Sequence, residues 1–478
     1  KVVNEDQDDD DDPAEYHYYY MQSNGKAYKG DGTSVSKKTI DGKRYAFDED
    51  GVMLYGWVTE SGTMANGEDE WSASDVMYYF GGWEDGSMKT GWQKITVHDN
   101  EDGKDDDYDY WFNFKSNGHR RAHANADDTW KSNSRYYHFD ERGVMVYQWF
   151  ETATTNSASA SNWAYFSSPE DGARVTKGWF KVVAPTEDNS FLESDVTFAK
   201  KDSDDESERW YYSDSKDNGL VVGEIKKIKG KYYGFWPDDG QKGGRMLVGL
   251  CALQMNEADG SKIDKVVVAD MDSDDLDDFM DTYGTKSQEE TGIYLYYFGD
   301  GEDGSMKTGS VSLNLDGDSY QFQFKKTGAA DSRGRGVNGV DDGKYIYKYG
   351  QKVKADTDDK YTLVYANGNI NDSNVVVEDF DNSDIKGIAK TFDLAAKKGS
   401  DEDNLRGYCG FGTAQEGWYL VNTSGRIQTG TKSGTKDGYD MYWFMYKDNI
   451  KFYADDKNIS DYDELKGDGW HSYFDNLK

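Results

Sequence analysis

Aromatic residues alternate with polar ones in short runs that return at near-regular intervals. Tyr45-Ala46-Phe47, Tyr78-Tyr79-Phe80, Tyr110-Trp111-Phe112, Tyr136 to Phe139 and Trp163 to Phe166 are such runs, and their closing Phe residues stand 33, 32, 27 and 27 positions apart. Further copies lie at Trp210-Tyr211-Tyr212, Tyr232-Tyr233, Tyr294 to Phe298 and Tyr442-Trp443-Phe444. Most are followed by a cluster of turn-forming residues, as in DEDG at 48–51, FDERG at 139–143 and SPEDG at 168–172; NTSG at 422–425 is a further such cluster. A second apolar run then closes on Trp: VMLYGW at 52–57, SMKTGW at 87–92, VMVYQW at 144–149 and ARVTKGW at 173–179. Period-two alternation bounded by Gly and Asp predicts short β-hairpins. Each would have an aromatic strand, a tight turn and a second strand carrying Met.

One phrase is written twice. YYFGGWEDGSMKTGW at 78–92 returns as YYFGDGEDGSMKTG at 296–309. Recurrence of this kind points to stacked supersecondary units with a basic repeat of ~20 residues. The predicted fold is therefore all-β, an elongated solenoid-like array of β-hairpin repeats with acidic loop insertions and one short helix. Residues 1–15 read as an acidic linker that opens a mature or excised piece. Residues 16–255 read as the aromatic hairpin array, 256–290 as an acidic insert and 291–370 as a second repeat segment. Residues 371–410 read as an irregular or helical insert and 411–478 as C-terminal repeats. Ser383 to Lys398 is the best helix candidate.

Composition sharpens this picture. Only 36% of residues are apolar yet 15% are aromatic, so rings must build the core. With 52 Gly and 4 Pro, the turns rely on Gly, Asn and Asp. The net charge of −36 argues against nucleic-acid and anionic-membrane partners, because the cations that neutralise phosphates are outnumbered. No run approaches a membrane span, and no secretory leader is visible. Two cysteines, Cys251 and Cys409, are too few for a disulfide framework; Cys251 reads as a buried thiol, and a single bridge between the two stays open.

The pattern of aromatic-Tyr-Phe, turn Gly, Met and Thr-Gly-Trp resembles the cell-wall-binding, choline-binding-type repeats of Gram-positive surface proteins. Related repeats occur in glucan-binding proteins and large clostridial toxins. GKYIYKYGQKVKAD and WYLVNTSGRIQTG resemble segments found with such repeats in clostridial surface proteins. The resemblance covers about residues 16–250 and 290–450. It implies a solenoid of stacked hairpins with shallow sites between consecutive repeats, lined by the Trp of Gly-Trp, a ring of the aromatic strand and often the Met. Matched position by position, the cage candidates are Trp57, Tyr79, Met88, Trp92, Trp111, Met145, Trp149, Trp179 and Tyr211. A trimethylammonium group, which has no hydrogen-bond donors, would be held there by ring quadrupoles. Gly223-Glu224, Gly249-Leu250, Gly309-Ser310 and Gly430-Thr431 replace Gly-Trp and lose that wall.

Each reading has a plainer rival. A repeated ring is a core residue first and a ligand contact second. Asp270, Asp272, Asp274, Asp278 and Asp281 fall at positions 1, 3, 5, 9 and 12 of a loop like a calcium-binding one, but position 6 is Asp275 where the sharp turn wants Gly. His119 and His123 are spaced like a helical metal pair but follow a strand, and read as exposed. No nucleophile elbow, phosphate loop or zincin motif is present, and no cofactor is required beyond the candidate calcium. The expected protein is a secreted or cell-surface, non-enzymatic one that binds cell-wall polymer or polysaccharide. Two alternatives remain: a structural subunit of a fibre, sheath or surface layer that assembles through its own repeats, and a glycan-capture module of a larger polysaccharide-degrading protein.

Overall fold

The computed structural model describes residues 1–7, 12–101, 104–152, 160–186, 191, 207–214, 219–238, 243–372, 374–397, 404–465 and 469–476. Among them the chain is predominantly β, built from many small antiparallel sheets, with four α-helical segments of which only Ser273–Tyr283 exceeds four residues. It divides into two compact units: Lys1–Val222 with Asp238–Arg245, and Gly223–Pro237 with Met246–Lys478. No described helix is long and apolar enough to cross a membrane. Of the acidic stretch KKDSDDESE at 200–208, residues 200–206 lie outside the described residues.

In the first unit, two-stranded ladders succeed one another. Lys37–Ile40 pairs with Lys43–Ala46, Trp57–Thr59 with Val76–Tyr79, and Gly91–Asp99 with Asp106–Phe114. Trp130–Ser132 pairs with Arg135–Tyr137 and Gln148–Glu151 with Trp163–Phe166; Gly178–Val183, Glu208–Asp214 and Gly219–Leu220 then make a three-stranded sheet. From Trp57 onward these ladders typically run from a Gly-Trp strand to the next aromatic strand. This corrects the expected hairpin, in which the aromatic strand would pair through its own turn with the Met strand. That segment is closed by a single bridge, Phe47 to Met53 or Phe139 to Met145. The turn explains the difference. Asp48 Oδ1 accepts from the N–H groups of Asp50 and Val52 at 2.9 and 2.8 Å, and Asp140 Oδ1 from Val144 at 2.7 Å, so a side chain takes donors that a longer ladder would use.

The Met-position N–H instead reaches the preceding repeat. Met53 donates to the carbonyl of Tyr18, Met88 to Arg44, Arg120 to Met77, Met145 to Trp111 and Arg174 to Tyr136, all at 2.7–2.8 Å. The Met side chain turns the other way, onto the turn glycine of the following repeat. Met53 lies against Gly86, Met88 against Gly118 and Met145 against Gly172, and a Cβ on any of these glycines would overlap the thioether. The three Met joints thus combine a main-chain hydrogen bond with a close sulfur–glycine contact. The Gly of Gly-Trp has a backbone role as well: Gly56, Gly91 and Gly178 have φ of +64°, +73° and +115°, and Gln148, at the same position, is held at +57°.

The second unit departs from this plan. Ile225–Ile228 and Lys231–Gly234 still form a simple hairpin. Beyond it, Ile263–Val268, Leu250–Met255 and Ile293–Tyr297 make a three-stranded sheet, and Gly309–Leu315 begins a five-stranded one that ends on Gly339–Asp341. A second five-stranded sheet joins Lys390–Leu394, Leu405–Cys409, Asn449–Ala454, Tyr442–Tyr446 and Lys432–Lys436. The expected loop at 256–290 holds the strand Ile263–Val268 and the helices Ser273–Tyr283 and Gln288–Thr291. The expected helix at 383–398 shrinks to Ile385–Ile388, followed by the strand Lys390–Leu394, whose Phe392 and Leu394 are buried. Here sheet packing overrides a modest helical periodicity. Cys251 and Cys409 are buried free thiols.

The phrase written twice folds into the same chemistry twice. In the first unit Asp85 takes hydrogen bonds from Ser87 at 2.7 Å, Lys43 at 3.2 Å and Lys89. In the second, Asp303 takes them from Ser305 at 2.7 Å, Lys231 at 3.3 Å and Lys307.

Candidate aromatic ligand site

The nine cage candidates, all in the first unit, separate into groups with different access to solvent. Trp57 belongs to a buried core with Trp71, Phe112 and Phe114, against which the half-buried Tyr79 packs; Trp57 is 6% exposed and its ring lies 5.0 Å from Phe112. Its cation is internal: the Arg120 guanidinium lies 5.7 Å from the indole and donates to the carbonyls of Trp71 and Ala73 at 2.7 and 3.0 Å. Trp149 and Tyr211, each fully buried, meet edge to face at 5.2 Å, and Trp149 Nε1 donates to the carbonyl of Val183 at 2.9 Å. Met88 packs beside Tyr78 and Gly118. Trp57, Trp149 and Tyr211 are closed off from solvent, whereas Tyr79 and Met88 are half-buried.

Trp92, Trp111 and Met145 are brought together, and they gather two rings that the motif did not mark, Trp130 and Tyr137. Trp92 stands 6.4 Å from Trp111 at 83°, 5.7 Å from Trp130 at 52° and 5.0 Å from Tyr137 at 63°. All three indoles are half-buried, while Phe139 and Met145 close the floor. Trp92 and Trp111 stand nearly perpendicular and Trp130 is tilted against Trp92, so the half-exposed surfaces of three indoles are gathered in one place. A cation already uses one of them. The Arg121 guanidinium lies 4.1 Å from the Trp130 ring, with its Nε bonded to Asn113 at 2.8 Å. At the rim, Glu170 accepts from Trp111 Nε1 at 2.9 Å and from Lys94 at 2.8 Å; the Lys94 hydrogen bond and then that of Trp111 hold its carboxyl below the ordinary range. Trp130 and Tyr137 could have been found from their alternation around the Ser132–Arg135 turn.

Trp179 forms a smaller half-open group, meeting Trp210 at 6.2 Å and 90° and Tyr212 at 5.1 Å and 69°. Lys181 reaches 5.9 Å from the Trp210 ring.

The acidic candidates do not converge. Residues 273–283 are helical and Asp272 is the cap, its Oδ1 accepting from Asp275 at 2.8 Å. Asp274, Asp278 and Asp281 therefore follow one another along a helix instead of wrapping an ion, and Asp270 stands before the cap at φ +52°. With Asp275 where a calcium loop needs Gly, the segment had no sharp turn to make and capped a helix. Among the described residues no three His, Cys, Asp or Glu side chains are placed to hold a metal. His119 and His123 are not exposed as expected. His119 bonds the Tyr78 hydroxyl at 2.5 Å, and His123 lies 3.1 Å from His138, with burial and then that neighbour lowering its pKa to about 4.

No protein-family model and no curated protein matches the sequence. Solved structures resemble it at low identity. The chain is similar to CbpF, crystallised with ipratropium, at 15% identity over 88% of this chain and 99% of that one, with a TM-score of 0.39. It is also similar to CbpJ from Streptococcus pneumoniae at 19% identity over 71% and 100%, with a TM-score of 0.28. The modular autolysin LytC of Streptococcus pneumoniae gives 16% identity and a TM-score of 0.31, with 74% of this chain spanning 57% of LytC.

Proposed function

We propose that this protein is a non-catalytic attachment protein of the bacterial surface that captures a cation with an apolar shell, of the trimethylammonium type, carried by a cell-wall polymer. The half-open group of Trp92, Trp111 and Trp130 carries this reading. Trp92 and Trp111 stand nearly perpendicular, the Trp130 ring beside them already carries a guanidinium, and a carboxylate stands at the rim. The hairpins are read as a solenoid in which the site lies between consecutive repeats. Passage over immobilised choline tests it: retention with elution by free choline is expected, together with loss of retention in Trp92→Ala. Flow-through of the folded wild type overturns it. The structural-subunit reading is favoured by the sealed rings of Trp57 and Trp149, which serve the array alone; regular filaments in negative stain without choline retention would select it.

A further inference from the structure

A second concavity, chemically unlike the indole group, lies wholly in the second unit. Its volume is about 360 Å³, at the small end of the range for ligand pockets. Gly336, Val337 and Asn338 line it together with Tyr294, Lys325 and Arg335 on one side and residues 370–375, apart from 373, on the other; Gln288 and Glu289 also contribute.

Arg335 is fixed at this cavity by two contacts. Its guanidinium lies 3.8 Å from the Tyr294 ring centre and its Nε donates to the Tyr296 hydroxyl at 3.2 Å. Neither Arg335 nor Lys325 joins any of the ion pairs of the described residues, in a chain where 91 carboxylates face 55 cations. Asn338 is 6% exposed and half committed: its Oδ1 accepts from the Tyr349 N–H and its Nδ2 donates to the Val375 carbonyl at 3.1 Å, which leaves one amide hydrogen. Gln288 Nε2 donates to the Gly336 carbonyl at 2.8 Å and leaves its oxygen. The amides of Asn371 and Asn374 make no hydrogen bond to a described residue, and Val337, Val375 and Ile370 add small apolar surfaces.

This lining discriminates between ligand classes. Two cations are matched by Glu289 and Asp372, so the cavity carries no net charge to attract a phosphate. A trimethylammonium would meet one ring, Tyr294, whose face Arg335 already covers. What remains is a set of amides, carboxylates and N–H donors in which acceptors and donors interleave beside small apolar patches. Hydroxyl groups, which donate and accept at once, fit that set, as do the C–H faces between them. We propose that the cavity is a saccharide site for one or two sugar rings.

Titration of the full chain with glucose, N-acetylglucosamine and maltose, followed calorimetrically and by saturation-transfer NMR, tests this. At least one of these sugars is expected to bind, and choline should not displace it. The Lys325→Ala/Asn371→Ala variant, which removes two exposed groups, should weaken that sugar about tenfold with an unchanged circular dichroism spectrum. Trp92→Ala should leave it unaltered. Failure of all three sugars to bind overturns the proposal, as does binding indifferent to the double variant. A sugar displaced by choline and lost in Trp92→Ala would move saccharide recognition to the indole group and equally overturn it.

Discussion

Met145 packs its thioether into the space that a side chain on Gly172 would occupy, one repeat further along the chain. Gly172 has a φ of +58°, so backbone and contact both demand glycine. Gly172→Ala should lower stability by about 2–4 kcal/mol, adding a left-handed alanine to an overpacked joint. Gly91→Ala, with φ +73° but open space around its Cβ, should cost only the backbone share. Urea unfolding of both variants separates the two contributions; equal losses would mean that the sulfur contact is not constraining.

Gln148 offers the opposite experiment. It holds a left-handed backbone where other repeats place Gly. Gln148→Gly should stabilise the first unit by up to about 1 kcal/mol, because relief of the strained backbone outweighs the extra freedom of unfolded glycine. A lower melting temperature would show that the Gln148 side chain contributes more than its backbone costs.

The paired carboxylates Asp85 and Asp303 set an acid limit. Burial resists ionisation of Asp85, but hydrogen bonds from Lys89, Ser87 and Lys43 outweigh it and hold the carboxyl at about 2. Asp303 is likewise held at about 2, chiefly by Lys307. A carboxyl depressed in the folded state stabilises it above the ordinary value of 3.8 and loses that contribution as pH falls toward 2. Melting temperatures between those limits should fall less steeply in Asp85→Asn/Asp303→Asn than in the wild type. Because both carboxylates are partly solvated, the difference in slope should be small.

Two tryptophans of the same motif should part company on mutation. Trp149→Ala empties a fully buried site and should cost about 3–5 kcal/mol of stability. Trp92→Ala removes a half-open wall and should weaken choline binding by about 1–2 kcal/mol with a smaller effect on unfolding. Thermal melts and choline titrations of both variants check this pair.

Arg121 competes for the face that a ligand cation would use. Arg121→Gln keeps a polar partner for Asn113 and clears Trp130. Choline affinity should rise several-fold, read as quenching of tryptophan fluorescence at lower choline concentration. Unchanged affinity would place the ligand on Trp92 and Trp111 alone.

The sequence made the β class and the aromatic joints readable because ring alternation and Gly-containing turns are local signals, as at Tyr78 to Phe80 and Gly81. Which strands pair was not readable, since Asp48 and Asp140 close their turns with side chains and pass the ladder to the next aromatic strand. At Asp272 the carboxylate spacing of a calcium loop and the cap of a helix look alike, and only the residue at 275 tells them apart. The division of Trp residues into sealed and open depends on what the next repeat brings against them. Trp57 meets Phe112, whereas Trp92 meets Trp130 and Tyr137, and Arg121 lies over the Trp130 ring. Nothing in the spacing of Gly-Trp records that difference.

Because the hydrogen bond between neighbouring repeats leaves from the peptide group of Met53, Met88 or Met145, and even of Arg120 and Arg174, that bond survives a change of the side chain at this position. Such an array can shed or regain docking rings one copy at a time while its scaffold persists. On the proposed attachment function, avidity for a polymer would then be a quantity that point substitutions grade at small cost in architecture.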